Sequence, residues 1–310
     1  MDKKAKIFVA GHTGLLGSSL FRLLRAEGFV NILARNHSEL DLTDRKNVRR
    51  FFEQEKPDFV FLAAGLTGGI LANKSFPADF FHTNILIQDN VFEAANKYEA
   101  KQVVFYGSSC MYPVNSLQTM TEEALLTGKI EQTSEGYAAA KIAGIFACRA
   151  YNNQYKTNRF IALVPNSMFG PGDNFNPDNS HVISSLIMKF HNAKINQGDS
   201  VVLWGSGNPR REFIFVDDVA VASLFAVTNS DRINNHHYNI GTGVDYSIRE
   251  LAQMIADIVG FKGEIKWDDT QPDGAPRKIL DSSKIRSLGW EHKVGIADGI
   301  RATYLWFSKN

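Results

Sequence analysis

A doubly wound parallel α/β sheet with a smaller carboxyl-terminal α/β lobe is the fold this sequence predicts, and three observations carry it. A glycine-rich turn, Gly11-His12-Thr13-Gly14-Leu15-Leu16-Gly17, joins the first apolar run, Lys6 to Ala10, to a helical pattern. Short apolar runs then alternate with helical patterns as far as residue 165, at the pace of a parallel sheet covered on both faces. In the following stretch, Asn166-Ser167-Met168-Phe169-Gly170-Pro171-Gly172, loop-forming residues interrupt the alternation. The expected division is a main domain of residues 1–165, to which 211–243 return, and a lobe of residues 166–210 and 244–310.

Composition narrows the class. With 310 residues, 44% hydrophobic and 22% charged, the chain is neither disordered nor collagen-like. A net charge of +1 argues against a nucleic-acid surface and leaves room for a local basic pocket, so a small molecule is the expected partner. No apolar stretch reaches the ~20 residues that span a bilayer, and no membrane partner is expected. The first strand begins within six residues of Met1, which leaves no leader, and only Cys110 and Cys148 are thiols. A cytoplasmic protein with reduced cysteines follows as the expectation.

Each element can be justified in order. Gly11 permits the tight turn, Gly14 lets backbone approach a pyrophosphate, and Gly17 lets helix pack closely on strand, with the helix N-terminus facing phosphate. The second strand, 31–34, ends in Arg35-Asn36-His37. A carboxylate there would bond the ribose diol of NAD, whereas an arginine can pair with the 2′-phosphate of NADP, so NADP is favoured. A merely solvated Arg35 is the alternative. Asp41, in Leu40-Asp41-Leu42-Thr43-Asp44, either reaches an adenine edge or serves only the local turn; Thr43 or Asp44 can cap the helix 45–55.

The third strand, 58–62, closes in Ala63-Ala64-Gly65, residues small enough for a cofactor to lie across the sheet. After a helix over 77–98, the fourth strand, 102–106, runs into Gly107-Ser108-Ser109-Cys110-Met111-Tyr112-Pro113. If that segment is extended, Ser108 and Cys110 face the same way, at the sheet end where ligands bind. Tyr137 and Lys141, four apart in an alanine-rich helix, share a face. A lysine beside a phenol lowers its pKa and makes tyrosine a usable acid. The fifth strand, 160–164, is followed in the lobe by a helix over 181–193 and a strand over 201–204. Residues 210–219 are expected to return toward the main sheet with Asp217 capping a helix. A helix over 248–259, a strand near Ile265, a loop over 271–278 and a closing helix through Leu305 complete the chain.

These segments resemble the extended short-chain dehydrogenase/reductase family: an amino-terminal GxxGxxG, a serine after the fourth strand, YxxxK and a carboxyl-terminal sugar-nucleotide lobe. Further segments resemble the branch of that family that epimerises and reduces GDP-4-keto-6-deoxy-D-mannose. They include Gly68-Gly69-Ile70, Ser108-Ser109-Cys110, Asp173-Asn174-Phe175, Asn179-Ser180-His181, Arg210-Arg211-Glu212-Phe213 and Pro272-Asp273-Gly274. The likeness spans nearly the whole chain and implies a Rossmann-like fold. It implies that Ser108, Tyr137 and Lys141 form a reductase site and that Cys110 and His181 form an epimerising acid/base pair. NADPH would be held by Gly11, Thr13, Gly14, Leu15, Leu16 and Gly17, by Arg35, Asp41 and Leu42, by Ala63, Ala64 and Gly65, by Tyr137 and Lys141, and by Pro165, Asn166 and Met168. The GDP-sugar would meet Asn166, His181, Lys189, Trp204, Arg211 and Asp281, and a homodimer would form through the helices at 77–98 and 136–155. Thr13 stands where some members carry an arginine.

The chemistry asks for these residue types. A C4 ketone acidifies the hydrogens on C3 and C5 because the carbanion delocalises onto O4, where donors such as Ser108 and Tyr137 would stabilise it. Inversion needs one group to take a proton and another to return one to the opposite face. A cysteine, of pKa ~8.5 when free, must spend time as thiolate to act as base; its bland alternative is a small buried apolar residue, the role expected of Cys148. Lys189 and Arg211 would hold the diphosphate, and Trp204 would pack on a base or ribose or else fill the core between lobes. The other histidines show no metal-ligand spacing, and no metal is expected. An enzyme performing one half-reaction, or acting on a related heptose, is the alternative.

Overall fold

The computed structural model describes residues 1–114, 119–177, 180–271 and 273–310, so Asn179 and Pro272 of the quoted segments lie outside the described residues. In chain order the elements are β1 (Ile7–Ala10), α1 (Leu15–Ala26), β2 (Ile32–Leu33), α2 (Arg45–Glu55), β3 (Phe59–Leu62), α3 (Ile70–Ser75), α4 (Pro77–Lys97), β4 (Gln102–Tyr106), α5 (Glu135–Tyr155) and β5 (Phe160–Pro165). There follow β6 (Ser167–Phe169), α6 (Val182–Ile195), β7 (Ser200–Trp204), β8 (Arg210–Phe215), α7 (Val216–Thr228), β9 (His237–Ile240), β10 (Asp245–Ser247), α8 (Ile248–Val259), β11 (Glu264–Asp268), β12 (Arg277–Lys278), α9 (Ser283–Ser287) and α10 (Ile296–Phe307).

Strands β1, β3, β4 and β5 read as unbroken apolar runs because both of their faces are covered. They belong to a parallel sheet of order β2-β1-β3-β4-β5-β9. The direction of winding reverses between β1 and β3, which makes the crevice at their carboxyl ends the place for a ligand. Phe8, Phe52, Val91, Phe92, Phe105 and Ile145 fill one face, under α2, α4 and α5. Val9, Leu20, Phe61, Ile161 and Val219 fill the other, under α1 and α7. A third core, with Phe169, Ile187, Phe190, Phe213, Leu251 and Ile255, belongs to the carboxyl-terminal lobe. Among the described residues no helix is long and apolar enough to cross a membrane.

Three expectations change here. Residues 211–215 do not rejoin the main sheet: β8 pairs with β6, β10 and β12, and the return is made by α7 and β9. Asp217 does not cap α7, which starts one residue earlier; its carboxylate takes hydrogen bonds from Ser19 and Arg22 and ties α7 to α1. The short helix α3 and the two-residue strand β12 carry too few residues for a periodic signal and were not anticipated. Asp44 caps α2, as its place before the helix suggested, by accepting from the backbone of Lys46 and Asn47.

Candidate active site

The first turn is built by close backbone approach. Gly11 has φ +80°, and a Cβ there would lie 2.7 Å from the backbone nitrogen of Ala64, so the ends of β1 and β3 meet at the switch point. A Cβ at Gly17 would lie 2.0 Å from the carbonyl oxygen of Gly11, so it is the turn, rather than the strand, that α1 packs against. Gly14, exposed like Thr13, precedes α1 without any side-chain cap, leaving the helix's first N–H groups for an anion. An uncapped helix end at the switch point fits a dinucleotide's pyrophosphate.

Leu16 and Leu42 are buried in the two cores, so they can meet a cofactor only through backbone; Leu15 is half-buried. Arg35 stands just beyond β2, 3.2 Å from Glu55 of α2 and over the ring of Phe51. That fixes a guanidinium at the sheet end where an adenosine 2′-phosphate would compete with Glu55. Asp41 accepts from the backbone and hydroxyl of Thr43 at 2.8 and 2.7 Å, so its side chain serves its own turn.

At the end of β4 the chain is not extended. Ser109 to Met111 form a tight 3-10 turn, and the Ser108 hydroxyl accepts from the Cys110 N–H at 3.3 Å. Ser108 and Cys110 are both half-buried while Ser109 and Met111 are inward, so a turn rather than strand alternation sets where the two stand. Over this turn lies α5. Its small residues are what allow the approach: a Cβ at Gly144 would stand 2.2 Å from the Phe105 ring, and Ala138 and Ala140 are buried beside it. Tyr137 thereby comes close to the Ser108 hydroxyl and to Cys110. Lys141, 6% exposed, points Nζ over the rings of Phe105 and Tyr137, at 5.0 and 5.6 Å.

Burial governs this centre. It pushes the Lys141 ammonium down to about 8, and no carboxylate pairs with it among the described residues. It raises the Tyr137 phenol above its ordinary value; Cys110 nearby raises it further, and only the bond from Ser108 opposes. Desolvation thus sets the net direction, opposite to the lowering expected from Lys141. The phenol holds its proton, as a donor must. Asn84, which no sequence pattern singled out, holds the carbonyls of Leu66 and Phe80 and backs Gly65, whose Cβ would lie 3.7 Å from Lys141 Nζ.

The remaining candidates lie at the end of β5 and over the second lobe. His181 immediately precedes α6, its side chain half exposed, with Nδ1 3.7 Å from the buried carboxylate of Asp173, which raises its pKa. His181, Ser185 and Lys189 are spaced by four along α6 and share a face. Lys189 and Arg211 are half-buried, are pushed down by that burial, and have no ion-pair partner among the described residues. Asn166 is buried; its amide donates to the Glu212 carboxylate and its oxygen accepts from the Ser167 N–H, so both ends have internal partners. Pro165 ends β5 in the core, and Met168 lies half-buried in β6. Asp281 accepts from the Ser283 N–H at 2.7 Å. Trp204 is 73% exposed, which removes the interlobe-core alternative. No group of three or more His, Cys, Asp or Glu is arranged to hold a metal ion among the described residues.

Residues 7–241 match the NAD dependent epimerase/dehydratase family. The chain is 50% identical over 310 residues to GDP-L-fucose synthase 1 of Arabidopsis thaliana, covering all of this chain and 95% of that one. It superimposes with a TM-score of 0.93 on a GDP-6-OMe-4-keto-L-xylo-heptose reductase from C. jejuni, at 38% identity, covering 100% and 99% of the two chains. A GDP-L-fucose synthetase from Naegleria fowleri, solved with NADP bound, gives a TM-score of 0.90 at 25% identity over 100% of this chain and 96% of that one.

Proposed function

The chain belongs to the NAD dependent epimerase/dehydratase family, among the GDP-L-fucose synthases and their relatives, and we propose that it converts GDP-4-keto-6-deoxy-D-mannose to GDP-L-fucose with NADPH. The observation that carries this reading is the constellation at the end of β4: Ser108 and Cys110 both close to the Tyr137 phenol, with Lys141 behind its ring. A plain reductase needs only Ser108, Tyr137 and Lys141; a thiol against the same oxygen-binding pair serves carbon acid chemistry.

Ser108 and Tyr137 hold O4 of the sugar by hydrogen bonds. The Cys110 thiolate takes the proton from the carbon next to C4, the electron pair moves onto O4, and His181 returns a proton to the opposite face of that carbon. Cys110 and His181 exchange protons with solvent, and the sequence repeats at the second carbon. NADPH, when bound, supplies the hydride for C4. Tyr137 gives its proton to O4 in that step, while Lys141, a buried ammonium, favours the negative charge left behind. The α1 N-terminus, with Thr13 and Gly14 exposed at its entrance, takes the pyrophosphate, Arg35 the 2′-phosphate, and Lys189 and Arg211 the diphosphate of GDP. The protein acts in the cytoplasm, where Cys110 stays reduced, as a homodimer through α4 and α5, whose Phe81, Phe146 and Tyr155 are exposed.

Incubation with the 4-ketosugar and NADPH in heavy water tests the reading. Deuterium at C3 and C5 together with NADPH oxidation is the expected result. Oxidation without deuterium would mean a reductase alone, the alternative favoured by the likeness to the heptose reductase, and deuterium without oxidation an epimerase alone. Sedimentation at micromolar concentration checks the dimer.

A further inference from the structure

We propose that Asp173 is the positioning residue of the epimerising pair: its buried carboxylate holds the His181 imidazole in place as the proton donor. This rests on the function proposed above.

The geometry is that of a built support. The Asp173 side chain is 3% exposed, and its Oδ1 lies 3.7 Å from His181 Nδ1. The other bonds to the carboxylate fix it from two sides: the Asn174 N–H donates to Oδ1 at 2.8 Å, and the fully buried Ser184 hydroxyl donates to Oδ2. The separation to His181 is longer than a hydrogen bond, as is common for catalytic contacts that tighten when substrate is bound. The loop carrying Asp173 also leans on the cofactor end of the molecule, since a Cβ at Gly172 would lie 3.1 Å from the Ser18 hydroxyl of α1. The carboxylate therefore stands where the main domain meets the start of α6.

A structural role as a helix cap does not account for this arrangement. Asp173 bonds the hydroxyl of Ser184 and none of the free N–H groups of the first turn of α6, which has no side-chain cap. Position works against His181 as well. It sits at the positive end of a helix dipole, which disfavours an imidazolium, yet its pKa is raised, with Asp173 as the cause. Of the elements packed on α6, β7 carries no charged residue, α8 carries Arg249, Glu250 and Asp257, which are engaged with Ser206, Ser247 and Gln253, and α10 carries Asp298 and Arg301, which pair with each other; on α6 itself the cation Lys189 shares the His181 face and opposes an imidazolium. A buried carboxylate without a hydrogen-bonded cation is costly, and so is an imidazolium at a helix N-terminus; each removes the other's penalty.

The test compares wild type with Asp173→Asn and Ser184→Ala. His181 is titrated by NMR on histidine-labelled protein, its signal assigned by its loss in His181→Asn, and solvent deuterium exchange and NADPH oxidation are followed against pH. In Asp173→Asn the His181 midpoint is expected to fall by about one unit or more, below its ordinary value of ~6.5. The alkaline limb of exchange should move with it, exchange near neutrality should drop roughly 10- to 100-fold, and reduction of a pre-epimerised ketosugar should stay within about twofold. Ser184→Ala, which loosens Asp173 without removing its charge, should shift both in the same direction and less, and it carries the test if the first variant does not fold. An unmoved midpoint in both variants, or equal loss of exchange and reduction in a variant that melts like wild type, overturns the assignment. Absence of exchange in wild type would instead overturn the proposed function, and with it the catalytic use of the pair, whatever the titration shows.

Discussion

Two parts of the candidate site are held by different means. Tyr137 and Lys141 ride on α5, pressed onto β4 by glycine and alanine, and burial sets their protonation. His181 stands half exposed at the start of α6 in the other lobe, and a single carboxylate sets its protonation. A hydride transfer needs fixed distances and exclusion of water, which a helix locked on a sheet provides. Proton return from a second lobe needs a charge state that persists while solvent has access. A local counter-ion gives that where burial cannot.

The sharpest way to break this division is to cross two substitutions. Tyr137→Phe should cut hydride transfer about 10²- to 10⁴-fold while deuterium exchange survives in good part, because Ser108 still holds O4. Cys110→Ser should do the reverse, measured with the unepimerised and the pre-epimerised ketosugar. Equal loss of both activities in either variant would mean that the two parts are one unit.

The next effect lies in the glycine turn and separates support from binding. At Gly17 an added methyl meets the backbone of Gly11 and His12, so Gly17→Ala should cost about 1–3 kcal/mol or more in thermal unfolding. At Gly14 a Cβ would meet only the Gly11 carbonyl at 3.5 Å, so Gly14→Ala should leave the melting temperature near wild type and weaken NADPH in a binding titration. Should the second variant melt like the first, Gly14 is structural.

pH separates the two parts again, with opposite signs. The folded Lys141 titrates near 8, below its ordinary 10.5. The unfolded chain therefore holds more protons between those values, and stability gains as pH rises through that window. His181 is raised, so its contribution is full below ~6.5 and is lost as pH climbs through the higher folded value. In kinetics, kcat/KM for NADPH, which reports the free enzyme, should fall above about pH 8 as Lys141 loses its charge. A flat profile to pH 9.5 would separate Lys141 from cofactor binding.

The main domain was more legible in the sequence than the lobe, for a physical reason. Parallel strands buried on both faces must be continuous apolar runs, so β1, β3, β4 and β5 announce themselves, and Gly11, Tyr137 and Lys141 are tied to them by short spacings. The lobe is assembled from strands of two to six residues joined across long sequence gaps, as β8 with β12, and such pairings leave no periodic trace. The same holds for the site. Ser108 and Cys110 were found for an incomplete reason, since a turn rather than an extended chain presents them. Asp173 and Asn84 act through contacts that only the folded chain makes, although Asp173 lies eight residues before His181. Arg35 was legible as a cation at a strand end, while its pairing with Glu55 depends on how α2 packs.

The smallest effect expected is at the exposed Trp204, with the buried Trp290 as the contrast. Trp290 is 3% exposed in the core under α1 and α7, and Trp204 is 73% exposed on β7. Trp290→Ala should cost about 3–5 kcal/mol of stability. Trp204→Ala removes almost no buried surface, so its melting temperature should move by the equivalent of ~0.5 kcal/mol or less. If the Trp204 ring packs on the guanine or ribose of the substrate, that contact is worth about 0.5–1.5 kcal/mol, which is roughly a 2- to 10-fold rise in KM for the GDP-sugar with KM for NADPH unchanged. Lys189 and Arg211, half-buried cations without an ion-pair partner among the described residues, are groups that a nucleoside diphosphate would pair. Unchanged KM for both ligands would take Trp204 out of the nucleotide site and leave the diphosphate to those cations alone.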